Sequence, residues 1–310
     1  MSLSHKKNHS SDKNTSASAA RSRTKDAAEQ LPLPHDRLIA FVSQVLAQGQ
    51  KHYRDFAWRN TRDPYAILLS EIMLQQTQVS RVVNYYESWL LLYPSIDALA
   101  AADTAEVLNS WQGLGYNRRA LALKRLAAEV SESKEGVLPK DYEGLQLLPG
   151  VGPATAAGVM AFAHNEFAPY LETNVRSVVL HELFPDRDEV CDKEVKIVVQ
   201  QACDYLKAAS LTDARTWNYA LLDYGSWLKK AFPNPSRRSK QHTRQSRFEG
   251  SFRQKRAQIL RAVLATPNLD SGELSLHCQL DLADVEAVLT TLAKEGFIQC
   301  DNGKYTISED

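Results

Sequence analysis

The sequence predicts a mainly α-helical protein that closes with a small winged-helix-like α+β domain. From Leu31 to about Trp227 the apolar residues recur at helical spacing, with few β-branched alternations. Near the C-terminus the period changes. Two short strand-like segments, 297–300 and 304–307, flank Asn302-Gly303, a pair suited to a tight hairpin turn. With 310 residues, 44% of them hydrophobic, the chain is long enough for about two domains with real cores.

Residues 1–30 are rich in Ser, Lys, Asn and Ala and hold no aromatic side chain, so they are expected to form a disordered tail. Residues 31–228 form the helical body. Within it, Asp103 with Glu106 three positions on predicts a capping box that opens a helix through Val107, Leu108 and Trp111, closed by Gly113 and Gly115. Residues 229–251 are a basic segment. Residues 252–310 form the last domain, in which Ile259, Leu260 and Val263 mark one helix. Val285, Val288, Leu289 and Leu292 mark a second, stopped by Gly296.

Composition excludes several classes. No apolar run reaches the roughly 20 residues that cross a bilayer, and the N-terminus has no apolar stretch of a signal peptide, so no membrane partner and a cytoplasmic site are expected. Cys191, Cys203, Cys278 and Cys300 are scattered, without metal-ligand spacing or a disulfide framework. Formal net charge is zero, with 37 Lys and Arg against 37 Asp and Glu. Its distribution is uneven. From Lys229 to Arg261 eleven Lys or Arg face the single acid Glu249, which suits a polyanion-binding tract or a solvated, charged linker.

The string Leu147-Leu148-Pro149-Gly150-Val151-Gly152-Pro153-Ala154-Thr155-Ala156-Ala157 lies between two helical patterns and reads as a tight helix-to-helix turn. Gly150 and Gly152 let the backbone take positive φ and let a phosphate approach without meeting a Cβ. Pro153 suits the first turn of the second helix, whose N-terminus favours an anion. A bare G-x-G turn is also compatible with a plain helical connection.

The whole string, L-P-G-V-G followed by T-A, resembles the hairpin of helix-hairpin-helix DNA glycosylases. Two more blocks resemble the MutY-type adenine glycosylases of that superfamily. One holds Trp58-Arg59, Asp63-Pro64-Tyr65 and Ser70-Glu71-Ile72-Met73-Leu74-Gln75-Gln76-Thr77-Gln78-Val79. The other holds Trp111-Gln112-Gly113-Leu114-Gly115-Tyr116, followed by Arg118 and Arg119. The resemblance covers about residues 31–228. It implies a two-lobed helix-hairpin-helix fold, double-stranded DNA as partner, a monomer, and a nucleoid-associated enzyme if the source is bacterial. It also implies a monovalent cation held by hairpin backbone at Leu148 and Val151.

Hydrolysis of a nucleotide's glycosidic bond takes an acid for the departing base and a carboxylate for the oxocarbenium-like sugar. Spacing alone allows Glu71 to be an exposed helix glutamate, but the resemblance assigns it the acid's role, and Ile72 and Leu74 flank it with apolar surface. The segment Glu172-Thr173-Asn174-Val175 aligns with a family D-x-N-V, so Glu172 is assigned the cation-stabilising role with Asn174 beside it. The family residue there is aspartate, and the extra methylene moves the carboxylate by about one bond length; misplacement of about 1 Å can cost about 100-fold in rate. Gln75 and Gln76 are implied to enter the gap left by a flipped base, or they are amides capping neighbouring loops. Trp58 and Tyr116 are candidate walls of the base pocket, or plain core.

Three further departures qualify the resemblance. Ala154 stands where bifunctional relatives carry a nucleophilic lysine, so a monofunctional glycosylase without lyase activity is expected. Lys229 stands where the family's first iron-sulfur ligand falls, and no cysteine follows until Cys278, so no cluster is expected. Lys229, Arg237, Arg238 and Lys240, with Arg118, are then expected to contact phosphates. Finally, the winged-helix-like sequence occupies the place of the family's 8-oxoguanine-reading domain. Adenine-type excision is favoured; uracil or thymine in a mismatch, or a catalytically inactive DNA-structure-binding protein, are the alternatives.

Overall fold

The computed structural model describes residues 31–133, 135–243 and 247–309, so the expected N-terminal tail lies outside the described residues. Fourteen helices and one hairpin are present in the described residues: α1 (His35–Lys51), α2 (Pro64–Leu74), α3 (Val79–Leu92), α4 (Ile96–Ala101), α5 (Thr104–Ser110), α6 (Arg118–Ser133), α7 (Tyr142–Gln146), α8 (Pro153–Phe162), α9 (Thr173–Glu182), α10 (Asp192–Ala209), α11 (Ala214–Ala231), α12 (Phe252–Ala265), α13 (Ser271–Cys278), α14 (Leu282–Lys294), β1 (Ile298–Asp301) and β2 (Lys304–Ile307). The mainly helical reading is correct. The chain divides into two units, each made of two stretches: residues up to 54 with 167–242, and 55–166 with 243–310.

In the first unit α11 packs on α1 and α9, and α10 packs on α9 and α1. Phe41 of α1 meets Trp217 of α11 edge-on at 6.3 Å, and both are buried. Each helix has an apolar stripe, so burying it in this layer removes the stripe from water at roughly 25 cal/mol per Å².

In the second unit α2 is buried over nearly its whole circumference and packs against α8, α3 and α6. Pro64 starts it, and the Asp63 side chain accepts hydrogen bonds from the Tyr65 and Ala66 amides, each at 3.2 Å. Asp103 caps α5 in the same way, accepting from Ala105 N at 2.7 Å and Glu106 N at 3.1 Å, and the helix ends at Ser110 with Trp111 as its C-cap.

The C-terminal segment of this unit contains the two predicted helices, with Ile259, Leu260, Val263, Val285, Val288, Leu289 and Leu292 all buried. Between them lies α13, which the apolar period did not reveal because Leu274 and Cys278 are its only buried residues. Its signal is the capping box of Asp270 and Glu273, each side chain bonding the other's amide at 2.8 Å. β1 and β2 pair antiparallel about Asn302 (φ 50°) and Gly303 (φ 80°), a turn geometry that demands positive φ at both positions.

Candidate active site

Glu71 is the sole charged side chain of α2 and sits half-buried one turn from its C-terminus. It can do so because α8, the helix it faces, has Gly158 opposite. A Cβ placed at Gly158 would lie 2.3 Å from Glu71 Oε2 and 2.7 Å from its Cδ. The sequence Pro-Ala-Thr-Ala-Ala-Gly of α8 thus lets the two helices close around the carboxylate. Sequence reasoning missed Gly158, since a glycine inside a helix carries no signal of what it faces.

After Leu74 the chain turns through Gln75 and Gln76, the latter with φ 55° and exposed. Gln75 is tethered: its Nε2 donates to Thr155 Oγ1 of α8 at 2.9 Å. Of the two glutamines expected to enter the DNA, Gln76 is the one presented to solvent.

Arg119 organises this turn. Its buried guanidinium donates to the carbonyls of Ile72, Met73, Gln75 and Gly115, each at 2.8 Å, to Leu114 O at 3.3 Å, and to Thr77 Oγ1 at 3.0 Å. Those carbonyls include the ones a helix end leaves without partners. Burial lowers the Arg119 pKa to about 10, so it remains cationic at neutral pH. The segment 111–116, pinned by Arg119, is also held by Trp111 Nε1 on Gly115 O (3.1 Å) and by Tyr85 OH on Gln112 O (2.7 Å). Tyr116 emerges from it at φ 51° and 38% exposed. Trp58 does not share that exposure. It is buried, stacked on Phe56 at 4.8 Å and edge-on to Tyr86 at 5.5 Å, and belongs to the core.

The hairpin runs from α7, capped by Asp141 on Gly144 N at 2.7 Å, through 147–152 into α8. Gly150 has φ 76°, and a Cβ there would also meet Ala122 Cβ at 2.8 Å, so both conformation and space select glycine. At Gly152, the N-cap of α8, a Cβ would meet nothing within 4 Å, and the residue is exposed. Ala154 lies half-buried in the first turn of α8.

In the first unit Glu172 is the N-cap of α9, its Oε1 accepting from Asn174 N at 2.6 Å and Val175 N at 3.2 Å. α11 comes very close: a Cβ at Gly225 would lie 2.2 Å from Asn174 O. Lys229 follows Gly225 by four residues and therefore shares its face of α11. Desolvation pushes the Glu172 pKa up, against the Lys229 charge and the two amides, which pull it down. Desolvation also pushes Lys229 down, and the Glu172 charge opposes it. Among the described residues Asn174 Oδ1 is a buried acceptor with no hydrogen-bond partner.

The basic run is largely engaged within the protein, which corrects the expectation that it lies open to phosphates. Arg238 caps the end of α9, donating to Leu180 O (2.8 Å), Phe184 O (2.5 Å), Pro185 O (2.6 Å) and Arg187 O (3.3 Å). Its own backbone joins Val190, with Val190 N on Arg238 O at 3.2 Å and Lys240 N on Val190 O at 3.0 Å. Lys229 is half-buried beside Glu172. Arg118 and Arg256 both hold Glu295, Lys255 holds Asp284, and Arg247 holds Glu249. Arg237 and Lys240 are exposed, and Arg244 lies outside the described residues.

Two helices joined through a glycine turn, with a carboxylate on the helix packed against the second of them, define a helix-hairpin-helix protein. A family model described as "HhH-GPD superfamily base excision DNA repair protein" matches residues 69–203. The chain is 31% identical over 284 residues to an adenine DNA glycosylase of Mycobacterium tuberculosis, covering 83% of this chain and 89% of that protein. It is 38% identical over 151 residues to the human adenine DNA glycosylase, covering 46% of this chain and 28% of that protein. Among solved structures, a thermostable thymine-DNA glycosylase aligns with TM-score 0.53 and 27% identity over 62% of this chain and 87% of that chain. The chain belongs to the HhH-GPD superfamily of base excision DNA repair proteins, in its adenine-DNA-glycosylase-like branch.

Proposed function

We propose that this protein is a monofunctional DNA glycosylase that hydrolyses the N-glycosidic bond of a flipped base, adenine-type by preference. The observation that carries the reading is the seat of Glu71: a single carboxyl on an otherwise uncharged helix, fitted against a glycine that leaves it room. In this reading Glu71 gives a proton to the departing base, and Glu172, whose negative charge Lys229 and two amides favour against the cost of burial, faces the developing positive charge of the sugar. The unpartnered Asn174 Oδ1 is suited to accept from the attacking water or a sugar hydroxyl. The hairpin amides around Gly150 and Gly152 take a DNA phosphate. Leu148 O accepts from Val151 N at 3.1 Å and keeps a second lone pair for a monovalent cation.

The iron-sulfur cluster of the resembling enzymes does not fit this chain. Cys191, Cys203, Cys278 and Cys300 are scattered along the chain without the spacing of a cluster loop, and Lys229 stands at the first ligand position. Arg238 and the Val190 bridge tie the segment after α11 to the end of α9 and to Val190.

The test is a panel of duplexes, each with one mispaired or modified base, incubated with the protein and then with hot alkali. Strand breaks at the position of a mispaired adenine support the reading, and no break on any duplex overturns it. Breaks only after the alkali step support a monofunctional enzyme, whereas trapping of a covalent adduct by borohydride defeats that part. Thymine in a mismatch is the second reading, favoured by the likeness to the thymine-DNA glycosylase structure.

A further inference from the structure

Three helices followed by a β-hairpin at 252–307 form the architecture of many DNA-reading modules, in which the last helix enters the major groove. The surface of this one does not suit that task. Beyond Arg261 the chain carries two basic residues, Lys294 and Lys304, against nine acids. The exposed face of α14 presents Glu286 and one cation, Lys294, with Leu282, Ala283, Ala287 and Ala293. Groove reading draws on Arg, Lys, Asn and Gln, and a phosphate grip on several cations at once.

The arginines of α12 point elsewhere. Arg253 Nη1 meets Tyr116 OH at 3.1 Å, and Arg261 Nε donates to Gln112 Oε1 at 3.2 Å, so two residues spaced two turns apart on one helix hold both ends of the 111–116 segment. Arg256 and Arg118 share Glu295, with Arg256 Nη2 on Glu295 Oε2 at 2.7 Å and Arg118 Nε on the same oxygen at 2.8 Å, which fixes α12 and α14 to the start of α6. Tyr116 is then held from two sides, since the Arg119 guanidinium lies 5.6 Å from its ring centroid.

We propose that the C-terminal winged-helix-like segment is a brace that sets the pose of Tyr116 and its loop, and not a second DNA-reading module. Arg253 and Arg261 are positioning residues in this role. The inference rests on the proposed glycosylase reading, with Tyr116 as a wall of its base pocket, and it deepens that reading by giving the segment its task. A tyrosine at positive φ on a glycine-rich loop has a choice of poses, and a charged donor on its hydroxyl with a cation against its ring selects one.

The experiment is a double-mutant cycle in the full chain, read as affinity for a duplex carrying a tetrahydrofuran abasic-site analogue. Arg253→Met and Tyr116→Phe should each weaken binding by about three- to tenfold, and the double variant should be no weaker than either single one. Arg253→Lys, which keeps a donor, should recover most of the loss. Lys294→Ala with Lys304→Ala should leave the log–log salt slope unchanged. Additive losses at Arg253 and Tyr116 overturn the brace, as does a slope flattened by about two in the lysine pair. If Arg253→Met does not fold, Arg253→Ala, which also removes the donor, takes its place in the cycle with Tyr116→Phe. Coupling with no base release from any duplex would defeat the proposed activity and leave the brace standing. An unchanged affinity in Tyr116→Ala would defeat the brace itself.

Discussion

The Glu71 carboxylate lies in the space that a side chain at Gly158 would occupy, 2.3 Å from where its Cβ would be. Helix α8 therefore sets the position of the proposed acid through an atom it lacks. Gly158→Ala must displace either Glu71 or α8. The atoms in the way belong to the Glu71 side chain, so stability should change by no more than about 1 kcal/mol, while base release should fall by about 100-fold, because a shift of about 1 Å in a reacting group is costly. Chemical denaturation and single-turnover release measure the two separately. Unchanged release would show that Glu71 is not held there for chemistry.

The two carboxylates have different tasks and should respond differently to replacement. Glu71→Gln keeps shape but cannot give a proton, so release should fall by about 100-fold or more while duplex binding survives. Glu172→Gln removes the charge facing the sugar, an effect worth roughly 3–4 kcal/mol in the barrier. Glu172→Asp separates two possibilities: a fall in turnover indicates a pocket adapted to glutamate, a rise indicates a site still shaped for aspartate. Wild-type turnover in Glu172→Gln would place the catalytic carboxylate elsewhere.

Lys229 and Glu172 form a pH-sensitive pair. Desolvation raises the Glu172 pKa and the Lys229 charge restrains the rise, so activity that needs ionised Glu172 is lost as pH falls through that pKa. Arg176, paired with Asp192, is the other cation acting on Glu172, while Arg54, paired with Asp223, acts on Lys229. Lys229→Met removes the restraint, and the acid limb of the rate profile should move to higher pH. For stability the sign is set by proton binding: the folded state holds the Glu172 proton more tightly than the unfolded chain, so this group lowers stability as pH rises above its unfolded pKa. Glu172→Gln should therefore gain stability at neutral pH while losing activity, a trade visible by comparing melts at pH 4 and pH 7.

Arg119 is predicted to be structural for the turn that carries the glutamines. Arg119→Met takes a donor from each of these carbonyls, leaving Ile72 O with the Gln75 amide and Gly115 O with Trp111 Nε1, and should destabilise the protein by about 1–3 kcal/mol. Arg119→Lys should recover only part of this, because an ammonium has three donors and no planar fork. Full stability in Arg119→Met would mean the carbonyls find other partners.

Neighbouring arginines in the basic run should behave oppositely. Arg238→Ala uncaps α9 and should lower the melting temperature with little change in the salt slope of DNA binding. Arg237→Ala with Lys240→Ala should flatten that slope by about two and leave the melt unchanged. Identical behaviour in the two variants would defeat the distinction.

Helices α12 and α14, the N-cap of α5 and the closing hairpin were legible in the sequence because their signals are local: the apolar period in α14, Asp103 before Thr104, and Asn302-Gly303 each act within a few residues. The sequence also singled out Glu71, Glu172 and Gly150, which stand in contiguous blocks. What each cation does is set by packing. Arg237 and Arg238 are adjacent and chemically identical, yet only Arg238 reaches the end of α9, because the Pro235–Arg238 turn points it there. Likewise nothing within reach of Gly158, Lys229 or Arg253 along the chain announces Glu71, Glu172 or Tyr116. Their partners lie 87, 57 and 137 positions away and are brought to them by packing, which acts through space and leaves no period in the sequence.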